Sequence, residues 1–330
     1  MEKENDYWKA ETVAFLALQS MHGVGFKTLY KIAAQKISFR KLIKTGDIKH
    51  FEKMLRLKLD DSIKESNESW MQFKLELWNK GLELARDYIK KNIYIFFYDQ
   101  DLFPQQLKNM PEPPMWLFVE GNYSMLHQPS VAIVGSRQAT EDGLWLTKYI
   151  VAAMANQGLV SVSGLADGID QKAHIESIQF NVPTIAVLGT GIDSNYPRGS
   201  EYLRTKIVAH GGAIVTEYLI GQHYSAHNFI RRNRIQASLA QITVPVEWKI
   251  KSGTAHTVNF TKDYGRFLVM PYLYQSDSEN AEIKAVTTYK RGRIFHIPHQ
   301  SSELIKFLKQ PEENQPSSVQ DKQGQLSMGF

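Results

Sequence analysis

The chain has 330 residues, a formal net charge of +5 and no cysteine. This length holds about two domains around ordinary cores, and the absence of cysteine excludes disulfides and thiolate metal sites and points to a reducing compartment. The polar start Met1-Glu-Lys-Glu-Asn-Asp6 is no signal peptide and no apolar run reaches the roughly 20 residues of a membrane span, so a soluble, cytoplasmic protein is expected, whose mild basic excess permits an anionic partner without demanding one.

Residues 7–90 read as helical. Val13, Leu16, Ala17 and Leu29, Ile32, Ala33 recur at helical spacing, and a long helix is expected from Trp70 to Lys91 with Phe73, Leu77, Leu84 and Tyr88 near one face. From Asn92 the texture changes. Ile93-Tyr-Ile-Phe-Phe-Tyr98 and Trp116-Leu-Phe-Val119 look like strands, linked through Pro104 and Pro111-Glu-Pro-Pro114. Strands are then expected at 130–134, 159–162, 183–188, 213–216, 242–247 and 267–270. Helices are expected between them at 141–157, 168–180, 200–210, 229–240 and 254–264. This rhythm means βαβ units, a mostly parallel sheet and helices on both faces. Thr184-Ile-Ala-Val-Leu188 is continuously apolar, as a strand covered on both faces should be. Beyond Pro271 the pattern suggests a hairpin over Ile283–Ile297, turning at Lys290-Arg-Gly-Arg293. A short helix from Ser301 and a polar, disordered stretch from Gln310 to Gln325 complete the chain.

The chemistry sits at strand ends. Val131-Ala-Ile-Val-Gly-Ser-Arg137 is a buried strand running into Gly135, Ser136 and Arg137, where a helix should begin. That is the geometry of an anion-binding crevice in an open α/β sheet. Gly135 permits close approach, Ser136 can cap a helix or donate to phosphate, and Arg137 can clasp phosphate through two donors. Ser163-Gly-Leu-Ala-Asp-Gly-Ile-Asp170 supplies a second small-residue turn, with Asp167 or Asp170 as a helix cap. His174 on the following helix is assigned no role. In Gly189-Thr-Gly-Ile-Asp-Ser-Asn-Tyr-Pro197, Asp193 can meet a ribose or base edge, and Tyr196 can stack on a base or pack under the Pro197 turn. Phe229-Ile-Arg-Arg-Asn-Arg-Ile235 is the most basic short stretch. Residues 201–270 carry nine Lys or Arg and four Asp or Glu, an excess equal to that of the whole chain, which favours a polyanion over a single nucleotide. Glu247 and Ser252-Gly-Thr254 place another turn at a strand end, as a cap or a phosphate contact. No paired acid and base, metal-ligand cluster or phosphate-loop lysine stands out, so no enzyme, no metal and no cofactor are expected.

These strings, in this order, resemble the bacterial DNA-processing protein A family, also called Smf, from about Phe15 to Pro271. The motifs are Gly-Ser-Arg at 135–137, Ser-Gly-Leu-Ala-x-Gly-Ile-Asp at 163–170 and Thr-Ile-Ala-Val-Leu-Gly-x-Gly-x-Asp at 184–193 with Tyr196-Pro197. Glu217-Tyr218, Phe-x-x-Arg-Asn-Arg-Ile at 229–235 and Glu247 with Ser252-Gly-Thr follow. The resemblance implies an extended Rossmann-like domain that binds single-stranded DNA, works as a homodimer, protects incoming strands and helps load the RecA recombinase during natural transformation. Carried over by position, the DNA-binding set is Gly135, Ser136, Arg137, Ser163, Gly164, Lys206, Phe229, Arg232, Asn233 and Arg234. Met21-His-Gly-Val-Gly25 is similar to a helix-hairpin-helix turn, with a simple helix–helix turn in a small bundle as the favoured reading.

The expected organisation is a helical domain over 1–91, an extended Rossmann-like domain over 92–299 and a largely disordered tail over 300–330. Three departures from the family stand out. Gln236 takes a place that is commonly apolar, Tyr272 follows Pro271 where glycine is usual, and residues 276–330 are short for the winged-helix domain of many members. The last residues, with Gln325, Leu326, Met328 and Phe330, resemble a peptide that docks on bacterial sliding clamps. The rival readings are a nucleoside monophosphate hydrolase of the related lysine-decarboxylase-like group, and a nucleotide sensor in phage defence. Glu247-Trp-Lys-Ile-Lys-Ser-Gly-Thr254 lacks the Pro-Gly-Gly of that hydrolase group.

Overall fold

The N-terminal apolar spacing folds as α1 (Glu2–Gln19), α2 (Phe26–Ala34), α3 (Phe39–Thr45), α4 (Ile48–Leu55), α5 (Asp61–Lys64) and α6 (Asn67–Lys90). The structure, a computed structural model, describes residues 2–273 and 280–312. Local chemistry sets the helix starts. Ser38, Asp47 and Ser66 each accept a backbone N–H three residues on and so cap α3, α4 and α6. The buried Glu11 carboxylate also accepts the Phe39 amide at 2.9 Å, tying α1 to the start of α3. Gly81 lets α6 lie directly on α1, since a Cβ there would stand 2.3 Å from the Val13 carbonyl. The Met21–Gly25 turn joins α1 to α2, with Gly23 at φ +85°.

The sheet follows: β1 (Ile93–Phe97), α7 (Gln105–Lys108), β2 (Trp116–Gly121), β3 (Ser130–Gly135), α8 (Glu141–Met154), β4 (Val160–Ser163) and α9 (Ile169–Gln179). Then come β5 (Thr184–Val187), α10 (Glu201–Ala209), β6 (Ala213–Thr216), α11 (Ala226–Leu239), β7 (Ile242–Val246) and α12 (Gly253–Asp263). β8 (Phe267–Leu273), α13 (Ala281–Thr287), β9 (Gly292–Ile297) and α14 (Ser301–Lys309) close the order. Among the described residues nine strands pair as β1-β2-β6-β5-β4-β3-β7-β8-β9. β2 pairs antiparallel with both β1 and β6, and the other pairs are parallel. The expected α/β architecture, a mostly parallel sheet flanked on both faces and preceded by helices, is what forms.

Alternation along each strand divides the core. Val131 and Ile133 face α8, α9 and α14, while Ala132 faces the opposite layer with Ile235 and Leu239 of α11. The N-terminal helices share a third cluster with Phe97, Trp116 and Phe118 at the antiparallel edge. No helix among the described residues is long and apolar enough to cross a membrane.

One expectation is corrected. Residues 283–297 are not a hairpin but α13 followed by β9, which pairs parallel to β8 from Leu268 opposite Gly292. Ile283 and Val286 lie three apart and are both buried, a helical interval, and Asn280 caps the helix by accepting the Glu282 N–H. The strand opens on Gly292, where a Cβ would stand 1.8 Å from the Val286 carbonyl. The short helix expected from Ser301 is α14, and Leu304, Phe307 and Leu308 are buried in the sheet's core. The clamp-like residues Gln325, Leu326, Met328 and Phe330 lie outside the described residues.

Candidate nucleic-acid interface

The order of the parallel strands reverses direction once. From β3 the chain steps to β4, β5 and β6 on one side, and β7, β8 and β9 then fill the other. Loops leaving the carboxyl ends of β3 and β7 must therefore diverge, which opens a crevice at the switch point. A cleft of about 630 Å³ lies there. Gly135, Ser136 and Arg137 line it from β3, and Glu247, Trp248 and Lys249 from β7. Phe229, Arg232, Asn233 and Gln236 contribute from α11, and Ser252, Gly253 and Thr254 from the start of α12.

Close packing shapes the β3 side. Gly135 pairs opposite Val246, and a Cβ there would stand 2.1 Å from the Val246 carbonyl. The Ser136 hydroxyl accepts the Gln138 amide at 3.1 Å, and its carbonyl accepts the Ile169 amide at 3.0 Å, so the turn is anchored to α9. Arg137 projects from this turn, exposed, with its guanidinium 5.6 Å from the centre of the Phe229 ring. Phe229 lies against Gly189, where a Cβ would come within 2.5 Å of the ring. Tyr196 and Tyr224 extend the patch. Their rings are 4.5 Å apart, and Tyr196 is 5.0 Å from Phe229. Three aromatic side chains thus border one exposed cation.

The seat for an anion at the start of α8 is already taken. Glu247, with φ +47°, accepts the Thr140 amide at 2.8 Å, while the Thr140 side chain caps the helix. A carboxylate at a helix N-terminus is favourable. It also keeps a phosphate from that spot and leaves Arg137 and Lys249 as the exposed cations of the lining.

The arginine cluster divides by helical phase. Phe229, Arg232, Asn233 and Gln236 fall on the face of α11 toward the cleft. Arg234 is buried away from it, in an ion pair with Glu217, which also holds Arg231 at 3.4 Å. Arg231 reaches Glu112 at 3.3 Å as well. Arg232 is buried under the cleft floor and donates to the Gly164 carbonyl at 2.7 Å and to that of Val187. Beneath it Asp170 accepts the Gly164 amide at 3.0 Å. Burial pushes the Asp170 carboxyl up to about 6, against the pull of Arg232 and the amides of Gly164 and Gly135. His174, one turn on, is pushed down to about 3 by burial and then by Arg232, with Nδ1 2.8 Å from the Thr184 hydroxyl.

The structure therefore brings Gly135, Ser136, Arg137, Phe229, Arg232 and Asn233 together. It leaves four residues of the expected set outside the lining. Ser163 is buried with its hydroxyl donating to the Ile133 carbonyl at 2.6 Å, and Gly164 packs on Arg232. Lys206 lies over Tyr202 on α10, and Arg234 is held by Glu217. Asp193 accepts the Gly221 amide at 3.0 Å and holds a loop, and Asp170 secures the Gly164 turn while Gly168 occupies the cap position of α9. Tyr224, Trp248 and Lys249 were not singled out by sequence reasoning. An aromatic just ahead of the basic string and a Trp-Lys pair at a strand end were the only signals they carried.

Comparison with known proteins places the chain among relatives of known fold. The family model for DNA recombination-mediator protein A matches residues 94–289. Protein Smf of Escherichia coli (strain K12) is 35% identical over 188 residues, covering 57% of this chain and 50% of Smf. The chain spans about half the length of the curated relatives it matches. The X-ray structure of DNA processing protein A from Streptococcus pneumoniae superposes with a TM-score of 0.57 at 22% identity, covering 88% of this chain and 93% of that one. DNA processing protein A from Helicobacter pylori, whose structure concerns its single-stranded DNA binding mode, superposes at 0.56 with 24% identity, covering 65% and 96%. These two likenesses show a shared fold. With more than half of its length matched by the family model, the chain belongs to the DNA recombination-mediator protein A family.

Proposed function

We propose that this protein binds single-stranded DNA in the cleft between the β3 and β7 ends, as a grip without catalysis. The observation that carries the reading is the exposed Arg137 beside Phe229, Tyr196 and Tyr224. A cation next to a stacking surface matches the repeating unit of a single strand, one phosphate and one base. Of the expected contacts, Gly135, Ser136, Arg137, Phe229 and Asn233 then meet DNA directly. Ser163, Gly164 and Arg232 act by holding the floor, Arg234 acts through its buried pair with Glu217, and Lys206 is a further contact offered from α10. The acids near the cleft are engaged in the scaffold, Glu247 at the start of α8 and Asp170 at the Gly164 turn. That favours binding over hydrolysis of a nucleotide.

In the same reading the protein acts as a homodimer, protects single strands and promotes loading of a RecA-type recombinase, with its C-terminal residues offered to a sliding clamp. Residues 1–91 are the helical domain, 92–299 the binding domain and 300–330 the tail, of which the described part includes α14, packed in the sheet's core. A gel shift with single- and double-stranded oligonucleotides, set beside a thermal-shift screen of mononucleotides, tests the reading. Retention of single strands with no mononucleotide stabilisation is expected. Mononucleotide stabilisation without strand binding would overturn it.

A further inference from the structure

We propose that the cleft holds a nucleobase subsite in which the Gln236 amide and the Trp248 indole receive a base bearing a ring carbonyl. The inference rests on the single-strand reading above and adds a preference among bases to it.

The α11 face toward the cleft repeats at Phe229, Arg232, Asn233 and Gln236. Arg232 and Asn233 have partners within the protein. Asn233 donates to the Gly253 carbonyl at 3.2 Å, and Arg232 to Gly164 and Val187. Gln236 differs from both. It is 1% exposed, it lines the cleft, and its side-chain Nε2 has no hydrogen-bond partner. Trp248, 4% exposed, lines the same cleft with an equally unpartnered Nε1–H. Buried donors are nearly always satisfied, because leaving one unmade forfeits its hydration. Two of them on the walls of one cleft point to an acceptor that arrives from outside.

Ile235 and Leu239 pack on the sheet, whereas Gln236 lies on the cleft face of α11, and a leucine at 236 would match the glutamine in size. The aromatic patch of Phe229, Tyr196 and Tyr224 at the same cleft is suited to holding a ring flat. Two N–H donors select an acceptor edge. Thymine, cytosine and guanine offer a ring carbonyl, whereas adenine has an exocyclic amino group in its place. Adenine offers only ring nitrogens as acceptors and sets its amino donor where the carbonyl would stand, so it pairs the two N–H groups less well.

Fluorescence anisotropy with oligo-dT and oligo-dA of equal length tests this on the parent, Gln236→Leu and Trp248→Phe, each checked by thermal melting. We expect the parent to prefer oligo-dT. Gln236→Leu should weaken oligo-dT by about tenfold and leave oligo-dA unchanged. Trp248→Phe should move oligo-dT in the same direction, and it keeps the question open to test if Gln236→Leu does not fold. Variants that bind both strands as the parent does, or that lose both by one factor, would overturn the subsite and leave the single-strand reading standing. Failure of the parent to bind either strand would overturn both.

Discussion

Arg137 and Phe229 come from elements more than ninety residues apart in sequence, yet the guanidinium sits 5.6 Å from the centre of the ring. The β3 turn supplies charge and α11 supplies a stacking face at one point of the cleft. The two contributions are separable. Phe229→Leu keeps the charge and removes the ring, and it should weaken oligonucleotide binding by about 1–3 kcal/mol with no change in the salt slope. Binding measured across a salt series checks both halves of that statement.

Gly189 sets the height of the platform. A methyl group there would stand 2.5 Å from a Phe229 ring atom. Gly189→Ala should cost about 1–3 kcal/mol of stability by overpacking and weaken binding through the displaced ring. Melting and binding equal to the parent would show that the ring has no need of this contact.

Arg234 and Arg137 should behave as opposites. Arg234 is buried against Glu217, so Arg234→Met leaves a carboxylate with only Arg231 beside it and should cost about 3–5 kcal/mol in chemical unfolding. The protein that remains folded should keep the parent's salt slope. A lowered slope without loss of stability would place Arg234 in contact with DNA instead.

Much of this was legible before the structure. Strands such as β3 and β5 announce themselves because a parallel sheet covered on both faces favours unbroken apolar runs, as in Thr184–Leu188. β9 did not, because an edge strand is half-buried and its start, Gly292-Arg293, reads as a turn between basic residues. The strings Gly135–Arg137 and Phe229–Ile235 marked the cleft. Which arginine faces it was not legible, since that depends on Glu217 meeting α11 from another part of the chain. For the same reason the carboxylate of Glu247 at the start of α8 could not be seen as an occupant of the expected anion seat.

Two buried groups beneath the cleft should give opposite pH dependences. Asp170 titrates at about 6 in the folded protein against an ordinary 3.8, so between these values only the folded state holds the proton. Its contribution grows as pH falls from about 6 toward 4 and is lost as pH rises through 6. His174 titrates at about 3 against an ordinary 6.5, so below 6.5 the unfolded chain takes up a proton that the folded one refuses. Its contribution is lost as pH falls. Melting curves over this range should show the parent gaining on Asp170→Asn and losing to His174→Gln as acid is added. Parallel trends in the two comparisons would contradict the assignment.

The central claim is that Arg137 grips a phosphate of a single strand. The direct measurement is oligonucleotide affinity against salt concentration for the parent and Arg137→Ala. Arg137 is exposed at a turn, so the variant should melt with the parent. Its affinity should fall, and the slope of log affinity against log salt should shrink by about 0.7, one phosphate's worth for a single strand. Equal affinity and equal slope in the two proteins would contradict the account.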